Sequence, residues 1–522
     1  ELRHLMLQPL PQSQRPRTTN VSVPPPVGGL NTRDSIDAMA PEDAILLDNW
    51  FPTTGKITLR EGYASHATNV GSGDVKTLIE HHAGDTRKLL AIGSNGTLYD
   101  ATSAGSSPSS LKTGLSSAIA QTAEFDGNTI FVTGADTPFK FNGSSASDLS
   151  ITLSDSSSVT TLDGVHVFKN RVYYWRGTDQ QFYYSATVNT LEGNFTVFPL
   201  NRVGNFGGDL LMVTTLTQDG GEGIDDLIAF VMTSGEVIVY SGDNPGDANS
   251  FALVGTFRIA EPVPHVRATI KLGGDVAVVT REGIIAMSSV FRSATVAQKA
   301  QALSEKIRGS FIDQVAETGT TAGWELFLSP NGDKMFCNYP TGNTANPHEQ
   351  FVFNPVVGAW CRFTGINSFT WGKFNGDVYF GGAGGVVYKF SSDSVSDAGS
   401  VIQADCRTAF NYFGDRNRIK QFASVQPFLE SEGTLTISTA LSTDFDNNFV
   451  SFATSTFDSS GATWNVAAWN EEEWAGSVSR TRPRLATAAL GYAASMRLKV
   501  STSTQTVSWL SASYGIKPGG PI

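Results

Sequence analysis

The chain has 522 residues and a formal charge of −12, from 37 Lys and Arg against 49 Asp and Glu, which argues against a general cationic surface for gripping nucleic acid. Only 16% of residues are charged while 52 are glycine, a balance that suits short strands joined by tight turns and not a helical bundle or coiled coil. No run of about 18 apolar residues marks a membrane-spanning helix.

Residues 1–28 are predicted to form an extended, Pro-rich arm. Pro9, Pro11, Pro16 and the run Pro24, Pro25 and Pro26 exclude helix. Arg3, Arg15 and Arg17 make the arm locally basic, and it either stays free or lies along a neighbouring subunit. Leu5, Met6 and Leu7 are cut off by Gln8 and Pro9, so no secretory signal is expected. In the segment 29–75, Pro41 followed by Glu42 and Asp43 predicts a short helix to about Asn49, stopped by Pro52. A strand follows in ITLREGY, and the segment is expected to pack with the C-terminal region.

From 76 to 400 one unit recurs: an apolar strand, a Gly, Asn or Asp turn, then a strand rich in aromatics. It occurs at 88–101, 128–143, 170–186, 226–242, 275–289, 334–354 and 377–391. The beat of about 48 residues is that of a four-stranded propeller blade, so six or seven blades are predicted in preference to a long sandwich. The stretch 292–317 interrupts the beat. Val296, Ala300, Leu303 and Ile307 share one helical face before Gly309 breaks it, which predicts an inserted helix over a blade edge or against a partner. Beyond 400 the strands lengthen and alternate, and residues 401–522 read as an antiparallel β-sandwich or platform. The fold class is all-β.

The chemistry-bearing residues are sparse. Among His4, His66, His81, His82, His166, His265 and His348 there is no HExxH motif, and His81 and His82 point to opposite faces of any strand that holds them. Cys337, Cys361 and Cys406 are too scattered for a zinc site or a disulfide framework and read as buried free thiols of a reducing cytoplasm. Nucleophile elbow, P-loop and dinucleotide motifs are absent. Acidic spots at Asp225 and Asp226 and at Glu471, Glu472 and Glu473 read as turns rather than a glycosidase pair. Residues 455–464 resemble a sialidase Asp-box, but Asp458 and Gly461 are one residue too far apart. Trp464, Trp469 and Trp474, five apart, read as a hydrophobic seam before a sugar platform. No residue is singled out as catalytic, cofactor-binding or metal-binding, and the chain is not expected to be an enzyme.

Two stretches carry a family resemblance. GGLN at 28–31, LDNWFP at 47–52 and REGY at 60–63 resemble the opening of the nozzle, or packaged-DNA stabilisation, proteins of short-tailed bacteriophages. WNVAAWNEEEW with the strand near 491–500 is similar to that family's C-terminal end. The resemblance implies a structural virion protein of the tail, assembled in the bacterial cytoplasm as a homohexameric ring that retains packaged DNA and forms its exit channel. The partners it implies are the tail adaptor, tail fibre or spike proteins, double-stranded DNA passing without tight binding, and a host cell surface. It implies no cofactor. The alternative from another class is a carbohydrate-binding or glycan-cleaving propeller, an adhesin or depolymerase.

Overall fold

The computed structural model describes residues 17–217, 226–288, 302–446, 453–457 and 479–519. Short strands dominate because the sequence alternates apolar runs with turn residues every few positions. In the first blade Val75–Ala83, Thr86–Gly93, Thr97–Asp100 and Ser109–Lys112 form an antiparallel meander. Its central turn needs Gly96, at φ +69°, where a Cβ would stand 2.1 Å from the Leu115 carbonyl oxygen.

Six free-standing sheets of three to five strands are the blades of a β-propeller, spanning 75–112, 121–148, 151–199, 210–258, 269–286 and 370–391. Between the last two, the ring is filled by Glu325–Leu328, Met335–Pro340, His348–Asn354 and Ala359–Phe363, one end of a ten-stranded sheet. The innermost strands pack side by side around an axis. All seven hairpins read from the sequence occur, each as a neighbouring strand pair of one meander.

The propeller is not confined to 76–400. Gly62–Ala67 pairs antiparallel with Val387–Ser391, so a strand from the start of the chain closes the last blade. The predicted helix near 41–49 is also corrected. Asp43–Asp48 is a strand, antiparallel to Ile402–Thr408 on one side and touching Ala359–Phe363 in parallel on the other. Ala44 and Leu47 are fully buried, and pairing on both edges outweighs the weak helical preference of the segment. This strand carries the ten-stranded sheet from the propeller into the C-terminal region.

The C-terminal region is a β-sandwich. One layer is the far end of the ten-stranded sheet, Ile402–Thr408, Ala494–Thr502, Leu435–Thr443 and Ala453–Phe457. The other is a seven-stranded sheet built on Lys420–Ser431 and Val507–Pro518, which also takes in Trp50–Thr53, Lys56–Leu59 and, from the arm, Thr19–Val23. Trp50, Trp509, Phe422, Met496 and Leu498 belong to one core that runs on into the propeller.

In the described part of the predicted stretch 292–317 the helix is Arg308–Thr318. Ile307 closes a preceding turn, and Phe311 and Val315 face the core. Gly309 does not interrupt it; it admits the Thr32 carbonyl, 2.5 Å from where a Cβ would sit. Expectations placed on Arg3, Arg15, His4, Asp225, residues 292–301, the three tryptophans at 464–474 and the acids at 471–473 lie outside the described residues.

Candidate functional site

Two buried polar arrangements stand out, and the first is the joint between propeller and sandwich. Asn49, at φ +59°, ends the strand Asp43–Asp48, a conformation Asn tolerates better than most residues. Its Oδ1 accepts from Arg60 Nε at 2.8 Å and from the Thr364 amide at 2.9 Å. Arg60 then clasps Asp397 bidentately at 2.8 and 2.6 Å and donates to the carbonyls of Glu61 and Thr364. A few residues away, Lys306 Nζ donates to Asp43 at 2.6 Å and to the Gly28 carbonyl at 2.7 Å, while Asn31 donates to the other Asp43 oxygen at 2.8 Å. Arg362 holds Asp48 through two bonds of 2.8 and 2.7 Å.

The second arrangement lies on the propeller axis, where a cavity of about 340 Å³ opens at the end of the ring at which the innermost strands begin. Lys76, Gln121, Asp163, Arg267, Glu325 and Phe369 reach it from six places round the ring, with His265 and His348 beside them. Arg267 is the hub. Its two terminal nitrogens donate to the Lys76 carbonyl at 2.7 Å, Thr77 Oγ1 at 2.7 Å, the Ala120 carbonyl at 2.8 Å and Thr370 Oγ1 at 3.3 Å. Glu325 accepts from the Trp371 amide at 3.0 Å and from Thr370 Oγ1 at 3.3 Å.

Burial sets the protonation of this wall. It pushes the Glu325 carboxyl up to about 7, against the opposing pull of the Arg267 charge and the two bonds it accepts. It pushes His348 down to about 4, helped by the Lys76 charge, and also lowers His265. Burial raises Asp163, although the Gly177 amide reaches both its oxygens at 3.0 Å. His348 Nδ1 and His265 Nε2 are buried without a hydrogen-bond partner. Deeper along the axis, His166 Nε2 shares a 2.8 Å hydrogen bond with Thr215 Oγ1 and is pushed down to about 4, chiefly by burial.

The remaining chemistry-bearing residues do not join either arrangement. His81 turns inward, its Nδ1 2.8 Å from Thr129 Oγ1, and His82 turns outward. All three cysteines are buried and free. Asp226 accepts from Thr217 Oγ1 across a blade hairpin. Among the described residues no group of three or more His, Cys, Asp and Glu could hold a metal ion, and no helix is long and apolar enough to cross a membrane. Sequence reasoning missed Glu325 and Arg267. The one available signal was a charge at the start of a blade-opening strand, WELFL, and nothing in its spacing separates it from an exposed turn residue.

No family model and no curated protein matches this chain. Solved structures do. PorZ, a bacterial surface component of the type-IX secretion system of Porphyromonas gingivalis, is similar at TM-score 0.37 and 11% identity over 70% of this chain, which spans 44% of the PorZ chain. The WD40 β-propeller domain of Doa1 is similar at TM-score 0.35 and 12% identity, over 63% of this chain and 97% of that one. The computationally designed Ika8 protein is similar at TM-score 0.35 and 9% identity, over 63% of this chain and 99% of that one. None of the three carries an argument about function.

Proposed function

We propose that the chain is a structural subunit of a short bacteriophage tail, one copy of a sixfold nozzle ring that retains packaged DNA and becomes its exit channel. It acts without cofactor and without catalysis. The observation that carries the reading is where the resembling segments sit. GGLN, LDNWFP and REGY supply Asn31, Asn49 and Arg60: Asn31 holds Asp43 within the segment, Asn49 reaches Thr364 and the Gln403 carbonyl, and Arg60 clasps Asp397, so these motifs tie residues 28–60 to each other and to the stretch 364–403. A resemblance concentrated in residues that build a joint suits a protein whose work is mechanical. The net charge of −12 suits a conduit as well, because acidic walls repel phosphate and keep passing DNA from sticking.

The test is native mass measurement and negative-stain averaging on particles from the source. A ring with six times the 55.7 kDa mass of the chain, seated at the tip of a short tail, is expected. A monomer absent from virions overturns the reading and leaves a carbohydrate-binding or glycan-cleaving propeller in its place.

A further inference from the structure

We propose that the side chains of Lys306 and Asn31 become joined by an amide bond, which the protein forms on itself with Asp43 as the proton-transfer group and ammonia as the leaving group. The proposal goes beyond the tail reading and stands whether or not the chain belongs to a virion.

Placement comes first. The Thr32 amide donates to the Lys306 carbonyl at 3.0 Å, so the two stretches lie side by side although they are far apart in the chain. One carboxylate then holds both reacting groups. Asp43 Oδ1 accepts from Lys306 Nζ at 2.6 Å, and its Oδ2 accepts from Asn31 Nδ2 at 2.8 Å. Asn31 is 1% exposed and Asp43 2%, which keeps water from competing with the amine. The Lys306 side chain, 28% exposed, leaves a way out for ammonia.

The Asn31 amide is prepared at both ends. Its Oδ1 accepts from the backbone amides of Arg33 and Asp34 at 3.1 and 3.0 Å. These two donors meet the oxygen on which negative charge gathers when an amine adds to Cγ. Its Nδ2 donates to Asp34 as well as to Asp43, each at 2.8 Å, so the nitrogen that must leave stands between two carboxylates. A salt bridge between Lys306 and Asp43 needs none of this. Lys88, Lys112, Lys140, Lys334 and Lys389 also pair with carboxylates, and among the described residues none of those carboxylates holds a side-chain amide.

The step balances within these groups. Asp43 takes a proton from the Lys306 ammonium, and the freed Nζ lone pair attacks Asn31 Cγ. The Nζ–Cγ bond forms, the Cγ–Nδ2 bond breaks, and Asp43 hands protons from Nζ to Nδ2. Nζ gives up two of its three protons, ammonium leaves, and Asp43 ends as the carboxylate it began as. No outside reactant enters.

The experiment is intact-mass measurement on the full folded chain, followed by trypsin digestion. The mass is expected to fall short of the sequence mass by one ammonia. One tryptic product should join the peptide holding Asn31 to the peptide holding Lys306, with cleavage after Lys306 lost. Lys306→Arg keeps the positive charge beside Asp43 and should restore the full mass. Asp43→Asn should slow the reaction by about a hundredfold or more, read as the unreacted fraction over time. If either variant does not fold, the joined peptide of the unaltered chain decides. The full sequence mass in the folded, unaltered chain overturns the proposal. So does an ammonia loss that persists in Lys306→Arg, since that is an asparagine closing on its own backbone.

Discussion

The joint and the axis are both buried, polar and built around an arginine, and they differ in how completely they are closed. At the joint, Arg60 has a fully buried side chain and all five of its N–H donors are used, on Asn49, Glu61, Thr364 and both oxygens of Asp397. At the axis, Arg267 is comparably engaged, yet two histidine nitrogens beside it stay unpartnered and a carboxyl is held well above its ordinary range. A polar network whose only task is to hold parts together gains from satisfying every member. The joint is not wholly satisfied either, since Trp50 Nε1 and Glu61 Oε2 beside it are buried without a partner. What separates the two is exposure: the Arg60 side chain is sealed from solvent, whereas Arg267 is half-buried beside a cavity.

The contrast breaks most decisively at Arg60. Arg60→Ala strands Asp397 in the interior, and removing one partner of a buried pair costs about 3–5 kcal/mol. Urea unfolding should register the loss. Amide exchange should quicken first in Val387–Ser391, whose partner strand Gly62–Ala67 begins two residues after Arg60. The double change Arg60→Met with Asp397→Leu should recover much of it, since well-packed apolar residues often replace a buried pair without loss. A double variant no better than the single would show that the joint depends on its hydrogen-bond directions and not on relief of a stranded charge.

Arg267→Met comes second. It releases bonds to Lys76, Thr77, Ala120 and Thr370, but the side chain is only half-buried and faces a cavity water can enter. The expected loss is about 2–3 kcal/mol, with faster amide exchange in Val75–Ala83 and Thr370–Phe374. A loss as large as that at Arg60 would mean the axis is as structural as the joint, and the contrast would fail.

How much of this the sequence carried depends on whether the signal was local. The seven hairpins were legible because each is a turn of Gly, Asn or Asp between apolar runs, and turn chemistry acts over a few residues. The strand at 43–48 was not, because Pro41, Glu42 and Asp43 look like a helix start and the deciding partners are near 360 and 405. Gly309 misled for the same reason: its role is room for Thr32, far away in the chain. At the joint, Asn49 and Arg60 lay inside recognisable motifs, but Thr364, which bonds both, and Asp397, which Arg60 clasps, did not. The axial site was invisible, because Lys76, Asp163, Arg267 and Glu325 are scattered singly over some 250 residues and only ring closure gathers them. Scattered single charges carry no periodicity for a sequence reading to find.

The finest test of the contrast is pH, because the axis titrates in an accessible range. Glu325 moves from 4.5 to about 7 on folding, so between those values the folded chain keeps a proton the unfolded chain has lost. Its contribution therefore favours folding below about pH 4.5 and fades as pH rises toward 7. His166 and His348 move the other way, from 6.5 to about 4. Over that window the unfolded chain binds the extra protons, so these two groups make stability rise with pH. The opposing slopes partly cancel in the intact protein. Glu325→Gln removes the falling component alone, so stability should climb more steeply between about pH 4.5 and pH 6.5. At neutral pH the variant should gain about 1–2 kcal/mol, the full shift being discounted for the carboxyl's part exposure to the cavity. Urea midpoints across that range check it. Parallel curves for the two proteins would mean that the Glu325 carboxyl is solvated as freely as one on the surface, and that the axis does not hold it apart from water.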